Sequence, residues 1–404
     1  MVRSVTAMAA VARSGPEGTI TLANWLTAPH NRWGVQHARE VVPTARVGRH
    51  PDHHHRLPVR RSRIDLDALE FTTPDGTVRR LDAWMTESHA DGLLVLHDGA
   101  VVHERYFHGL TATRPHLSFS VTKSVTGLLA GVLVGTGDLD PDAPVLQYLP
   151  EASGTGWADA TVRQVLDMQT SLAYVEAYGD PEGHMARYRE AVGWHPPRDP
   201  SAPTDLRSFL LSIGRGDAPH GRRFRYLTPN CDLLGWILER AGDAPYAELL
   251  TELLWSPMGA ECDADVTVDR MGLARAGGGL SATMRDLGRV GELVRLGGVA
   301  DGRRVVPREW IDDILVGGDP SAWAGSDFDY MLPPGAAYRS QWYLADADGV
   351  RYMAAGIHGQ WVWGDRHHGV VVVKLASRPL PSMAEVDVAE MACFAAIAAA
   401  VNPL

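Results

Sequence analysis

The stretch SFSVTKSVTG, Ser118 to Gly127, places Lys123 three residues after Ser120 and just ahead of the apolar run LLAGVLV. On a helix, residues three apart share a face, so this amine and this hydroxyl can hydrogen-bond. With Ser120 at the first turn and aimed into a cleft, unpaired backbone N–H groups and a positive local field favour an oxyanion beside it. Serine is a weak nucleophile until a base takes its proton. Lysine serves as that base when burial or neighbouring positive charge lowers its pKa. The chemistry implied is acyl transfer through a serine–lysine pair. By spacing alone, the commoner reading of the same residues is an N-cap serine beside a solvated lysine.

Other reactive groups offer less. His53, His54 and His55 beside Asp52 sit in VGRHPDHHHRLPVRRSR, a basic stretch that reads as a solvated surface loop. HERYFH resembles a zinc-protease helix, but His103 and His108 are five apart and fall on different faces of a helix. Cys231, Cys262 and Cys393 match no metal or redox spacing and suit a reducing compartment. GTG at 135–137 follows a helical pattern rather than a strand, which removes a dinucleotide loop. No metal and no cofactor is expected. Thirty-eight Lys and Arg against 49 Asp and Glu give a net charge of −11, which argues against nucleic acid or an anionic membrane as partner. No apolar segment approaches the ~18 residues that span a bilayer, and MVRSVTAMAAVARSG reads as an ordinary terminus rather than an export signal. A cytoplasmic protein acting on a small molecule is expected, with a homodimer one admissible assembly.

These residues need elements to position them. A chain of 404 residues, 45% hydrophobic, forms one large domain with insertions or two lobes sharing a cleft, since single cores stop growing near ~250–300 residues. Residues 92–107, GLLVLHDGAVVHERYF, alternate around a turn at HDG and predict a hairpin. From Ser120, Val125, Leu128, Leu129, Val132 and Leu133 recur at helical intervals up to GTGDLDPDAP. A short helix follows at 161–169. Residues 170–223, rich in Pro, Gly and aromatics, read as a long surface excursion of the kind that forms lids. Helices are expected over 229–242 and over 281–298, the latter opened by Ser281 as N-cap. GVRYMAAGIHGQWVW and HGVVVVKLAS read as two strands, and MAEVDVAEMACFAAIAAAV as a closing helix. This is an α+β pattern: an antiparallel sheet flanked by helices, its two ends meeting in one sheet, with a mostly helical lobe inserted and the active site in the cleft between. Residues 1–64 form an N-terminal arm and leader. Residues 65–404 form the catalytic domain, with its α/β body about 65–118 and 299–404 and its helical lobe about 119–298.

SFSVTKSVTGLLAGVLVGTGDLDPDAPVLQYLPE, FRYLTPNCDLLGWILER and GGLSATMRDLGRVG occur in that order, and together they resemble the serine hydrolases of the β-lactamase and penicillin-binding-protein type. The resemblance implies Ser120 as nucleophile, with Lys123 and Tyr226 as its catalytic partners. It implies an oxyanion hole from the backbone N–H groups of Ser120 and Ile357. The family's Lys/His-Thr-Gly motif falls on Ala354-Ala355-Gly356 and its Tyr-x-Asn on Tyr226-Leu227-Thr228. A cation and an amide that would hold a β-lactam carboxylate are thus missing, which points away from penicillin hydrolysis and towards esters or amides.

APHNRWGVQHAREVVPTARV, QVLDMQTSLAY, GIHGQ and VVVVKLAS bring the chain nearer still to the 6-aminohexanoate-dimer hydrolases, the enzymes of nylon-oligomer degradation, and their carboxylesterase relatives. That likeness implies Tyr178 as a lid tyrosine at the scissile nitrogen, with Trp194, and Trp342 or Tyr343, lining the substrate pocket. It also sets Arg189 and Gly277 where amide-cleaving members are expected to carry polar or acidic groups, so ester cleavage is the leading expectation. The alternatives are a D,D-peptidase or β-lactamase-type enzyme, and a non-catalytic module of the same fold.

Overall fold

Alternation between Ala90 and Tyr106 produces the expected hairpin: strands Ala90–His97 and Ala100–Tyr106 pair antiparallel. Asp98 and Gly99 turn it, both at positive φ, as a two-residue turn matched to strand twist requires. The computed structural model describes residues 13–15, 18–60, 62, 64–199 and 203–402; most of the opening segment expected to be an ordinary terminus lies outside them. The hairpin forms one edge of a seven-stranded antiparallel sheet, ordered Ala337–Arg339, Trp342–Leu344, Arg351–Gly356, Gln360–Asp365, Val370–Ala376, then Ala90–His97 and Ala100–Tyr106. Early and late chain therefore meet through the pairing of Val370–Ala376 with Ala90–His97.

One expectation changes. GVRYMAAGIHGQWVW is a hairpin of two strands rather than one, because His358 and Gly359 both take positive φ and reverse the chain. Side chains alternate across this sheet. Trp361, Trp363 and Val372 face a core that holds Phe394 of the closing helix Ala384–Val401, whereas Val362, Val371 and Val373 face the core shared with helix Met284–Arg295. Both faces are covered, so an unbroken run such as VVVV is buried on either side.

A second, four-stranded sheet runs Thr44–Val47, Ala264–Thr267, Leu280–Ala282, His116–Leu117. Ser281 belongs to it and does not cap the following helix; Thr283 does, accepting the Asp286 N–H. The excursion 170–223 carries helices His184–Ala191 and Leu206–Leu211. Helix Thr228–Ala241 follows, with Pro229 in its first turn, where a missing N–H costs nothing. The arm is woven into the body: Trp25 Nε1 donates to the Trp194 carbonyl at 3.0 Å, and Asn31 Nδ2 to those of Ser377 and Arg378 at 3.2 and 2.9 Å. Among the described residues no helix is long and apolar enough to cross a membrane.

Helix Val121–Thr136 runs through the middle, buried from Val121 to Leu133, and ends on Gly137 in the left-handed conformation. Its Gly127 lets the 340–341 loop approach: a Cβ there would lie 2.2 Å from the Ser340 carbonyl oxygen. Helix propensity alone would make Gly127→Ala stabilising by up to ~1 kcal/mol, but the backbone clash is larger, about 1–3 kcal/mol. Gly127→Ala is expected to lower the urea unfolding midpoint. A raised midpoint would contradict this packing.

Candidate active site

Strand His116–Leu117 delivers the chain to Ser118, whose N–H and Oγ both donate to the Leu280 carbonyl at 2.8 Å. Phe119 then takes φ +44°, a strained value for a bulky residue. The Thr122 hydroxyl braces this turn, donating to the Phe119 carbonyl at 2.6 Å and accepting the Leu280 N–H at 3.1 Å. The consequence is positional: Ser120 becomes the N-cap of the central helix with its side chain released from capping. Strand Arg351–Gly356 ends against the same turn, and a Cβ on Gly356 would meet the Ser118 oxygen at 2.7 Å and the Ser120 nitrogen at 3.1 Å. Only glycine lets the strand end approach so closely, and Ile357 follows it. Among the described residues, neither the Ser120 nor the Ile357 N–H donates to a protein acceptor. Two free donors beside a hydroxyl form a place for an oxyanion.

Lys123 is buried, its Nζ 3.0 Å from Ser120 Oγ and 2.5 Å from the Gly277 carbonyl oxygen. The amine also lies 4.9 Å from the centre of the Tyr226 ring. Burial raises the Tyr226 pKa, while the Lys123 charge and a hydrogen bond with Ser120 pull it down without cancelling the rise. Tyr226 is therefore a phenol at neutral pH and has a proton to give. Alcohol and amine from the head of the central helix, and phenol from the loop just before helix Thr228–Ala241, converge on one point.

Behind them runs a chain of partners that sequence reasoning did not find. The Gly277 N–H donates to Asp232 Oδ1 at 2.8 Å, the Tyr188 hydroxyl bonds Asp232 Oδ2, and Arg275 Nε donates to the Tyr188 oxygen at 3.0 Å. Burial pushes the Asp232 pKa up, opposed first by Arg275. Asp232 comes six residues after Tyr226 and Arg275 two before Gly277. Neither spacing signals a contact, since the link is made through Tyr188 on the excursion.

Ser120 stands where two lobes of a cleft join. One lobe is aromatic, with Tyr226, Phe328, Tyr343, Trp361 and Glu176. The other holds Trp194, Arg189, Arg275, His195 and His358. Ser120, Tyr178 and Ile357 border both. The Tyr178 hydroxyl donates to Glu176 Oε1 at 2.9 Å, and the second oxygen of Glu176 accepts the Thr228 N–H at 2.9 Å. Trp194 is buried, with its indole N–H 3.2 Å from Thr267 Oγ1. Tyr343 reaches the aromatic lobe. Trp342 does not: successive residues on a strand face opposite ways, and its indole donates to the Ser124 carbonyl at 3.1 Å within the core. Ala355 and Gly356 border the aromatic lobe with no cation at that position. Among the described residues no group of three or more His, Cys, Asp or Glu side chains is placed to hold a metal.

A two-sided sheet, a buried helix headed by a serine and a lysine, and a phenol above them define the class. A family model described as Beta-lactamase matches residues 78–396, and the chain belongs to this family of serine hydrolases. Over 364 residues, covering 90% of each chain, it is 39% identical to the 6-aminohexanoate-dimer hydrolase of Paenarthrobacter ureafaciens. A solved structure provisionally assigned as a 6-aminohexanoate-dimer hydrolase, from Bacillus anthracis, superposes with a TM-score of 0.84 at 27% identity, covering 95% of this chain and 98% of that one. A family VIII carboxylesterase shares the fold alone: TM-score 0.56, 16% identity, 77% of this chain and 96% of the other.

The Asp232 network generates a stability prediction. Asp232→Ala leaves Arg275 buried without its counter-charge and is expected to cost about 3–5 kcal/mol, against about 1 kcal/mol for Tyr188→Phe. Urea unfolding of both variants measures this. A loss below about 1 kcal/mol for Asp232→Ala would show that the carboxylate does not hold this network together.

Proposed function

We propose that the protein hydrolyses carboxylic esters, and linear amides of the 6-aminohexanoate type, through an acyl-enzyme on Ser120. The observation that carries this reading is the 3.0 Å contact between Lys123 Nζ and Ser120 Oγ beside two unengaged backbone N–H groups. Lys123 removes the Ser120 proton as Oγ attacks the acyl carbon. The N–H groups of Ser120 and Ile357 receive the charge that develops on the carbonyl oxygen, each such donor typically contributing ~3–4 kcal/mol. Tyr226, held protonated by burial, passes a proton to the departing oxygen or nitrogen and is recharged from Lys123. Water then attacks the acyl-enzyme by the reverse transfers, releasing the acid and restoring Ser120.

Amides demand more of the leaving-group step than esters, because an amine leaves only once protonated. Tyr178 borders both lobes at Ser120 with its hydroxyl oriented by Glu176, and in this reading it orients the scissile nitrogen. Tyr343 and Phe328 line the leaving-group side; Trp194 lines the acyl side. The missing cation at Ala354-Ala355-Gly356 favours esterase or amidase work over β-lactam cleavage.

A panel of p-nitrophenyl esters beside linear 6-aminohexanoate oligomers tests the reading. Ser120→Ala is expected to lose at least about 10⁴-fold in kcat on every substrate cleaved. Retained activity would dismiss Ser120 as nucleophile. Tyr178→Phe is expected to depress amide cleavage at least about tenfold more than ester cleavage; equal losses would end its assignment to the nitrogen.

A further inference from the structure

The lobe of the cleft that holds Trp194 is basic. Arg189 and Arg275 both line it together with His195 and His358, and no Asp or Glu is among its lining residues. Arg275 is 6% exposed, stacked 3.6 Å over the Trp194 ring, and its Nη1 has no hydrogen-bond partner. A buried guanidinium N–H without an acceptor costs several times the worth of an ordinary hydrogen bond, so the site is incomplete as it stands. Arg189 lies 5.9 Å over the Tyr178 ring. The acids nearby are hydrogen-bonded elsewhere, Glu190 to Arg198, Glu176 to Thr228 and Tyr178, and Asp232 to Tyr188 and the Gly277 N–H. Asp232 supports the Arg275 charge from behind Tyr188 but does not reach Nη1. Burial and the repulsion of Arg275 lower the Arg189 pKa, the sign of a cation short of counter-charge.

Direction along the cleft follows from Tyr226. The phenol borders the aromatic lobe and not the basic one, so a leaving group that takes its proton departs on the aromatic side, and the acyl chain lies in the basic lobe. We propose that this acyl chain ends in a carboxylate held by Arg189 and Arg275, which makes the preferred substrate a half-ester or half-amide of a dicarboxylic acid. The inference rests on the acyl-enzyme reading above. Its chemistry balances with water alone: the acyl C–O or C–N bond breaks, the Ser120 ester forms and is hydrolysed, and a dicarboxylate leaves with the alcohol or amine. An acyl chain ending in an ammonium group would meet two guanidiniums, which makes 6-aminohexanoyl amides slower substrates of the same site than dicarboxylic half-amides.

Three p-nitrophenyl esters of one acyl length test this: the adipate half-ester (anionic), the hexanoate (neutral) and the 6-aminohexanoate (cationic). The wild type is expected to prefer anionic over neutral by about tenfold or more in kcat/KM, carried mainly by KM, with the cationic ester last. Arg189→Glu is expected to invert the order of the anionic and cationic esters. Arg275 is packed between rings, so a second measurement needs no change there: free hexanoate should inhibit neutral-ester hydrolysis competitively about tenfold more tightly than hexanamide, and Arg189→Gln should erase that ratio. A wild type that cleaves the neutral or cationic ester best, with Ser120→Ala inactive, overturns the carboxylate site and leaves the hydrolase standing. Cleavage that survives Ser120→Ala overturns both.

Discussion

The buried amine of Lys123 organises the site. Its hydrogen bonds run to Ser120 Oγ and the Gly277 carbonyl, and its Nζ lies 4.9 Å from the centre of the Tyr226 ring. A buried amine with satisfied bonds to fixed acceptors holds one position, because each alternative leaves a polar group unpaired in a dry interior. Gly277 is fixed in turn by Asp232, Asp232 by Tyr188, and Tyr188 by Arg275. The proton acceptor is thus aligned through four residues drawn from three regions of the chain.

The same logic explains the turn before the helix. Phe119 in left-handed geometry costs free energy, of the order of 1–3 kcal/mol. The Ser118 hydroxyl donating to the Leu280 carbonyl and the Leu280 N–H donating to Thr122 Oγ1 sustain it. What results is a serine that begins a helix without capping it and a glycine-ended strand close against its N–H. The two larger sheets meet at this point, one supplying Leu280 and the other Gly356.

Much of this was legible in the residues. The spacing of Ser120 and Lys123 and the apolar periodicity after them are local signals, and local signals survive without coordinates. The hairpin at Asp98-Gly99 and the closing helix are of that kind. Where geometry depends on convergence of distant loops, the signal vanishes: Asp232, Tyr188 and Arg275 carry no motif, and Glu176 reaches the site through Thr228. The sequence places the cap at Ser281, and the extension of the strand to Ala282 moves it to Thr283. Trp342 and Tyr343 were interchangeable as pocket aromatics until the strand's alternation sent the indole into the core. A basic lobe in a chain of net charge −11 is likewise invisible to composition, since two cations matter there only through being gathered on one wall of the cleft.

The most direct measurement of the central claim is covalent. A fluorophosphonate reports an activated serine, and peptide mass mapping reports which serine carries the adduct. The account predicts one adduct on Ser120 in the wild type, forming at least about 10²-fold more slowly in Lys123→Ala, since removing the base leaves an ordinary alcohol. No adduct on Ser120, or an adduct that forms as fast without the Lys123 amine, would contradict it.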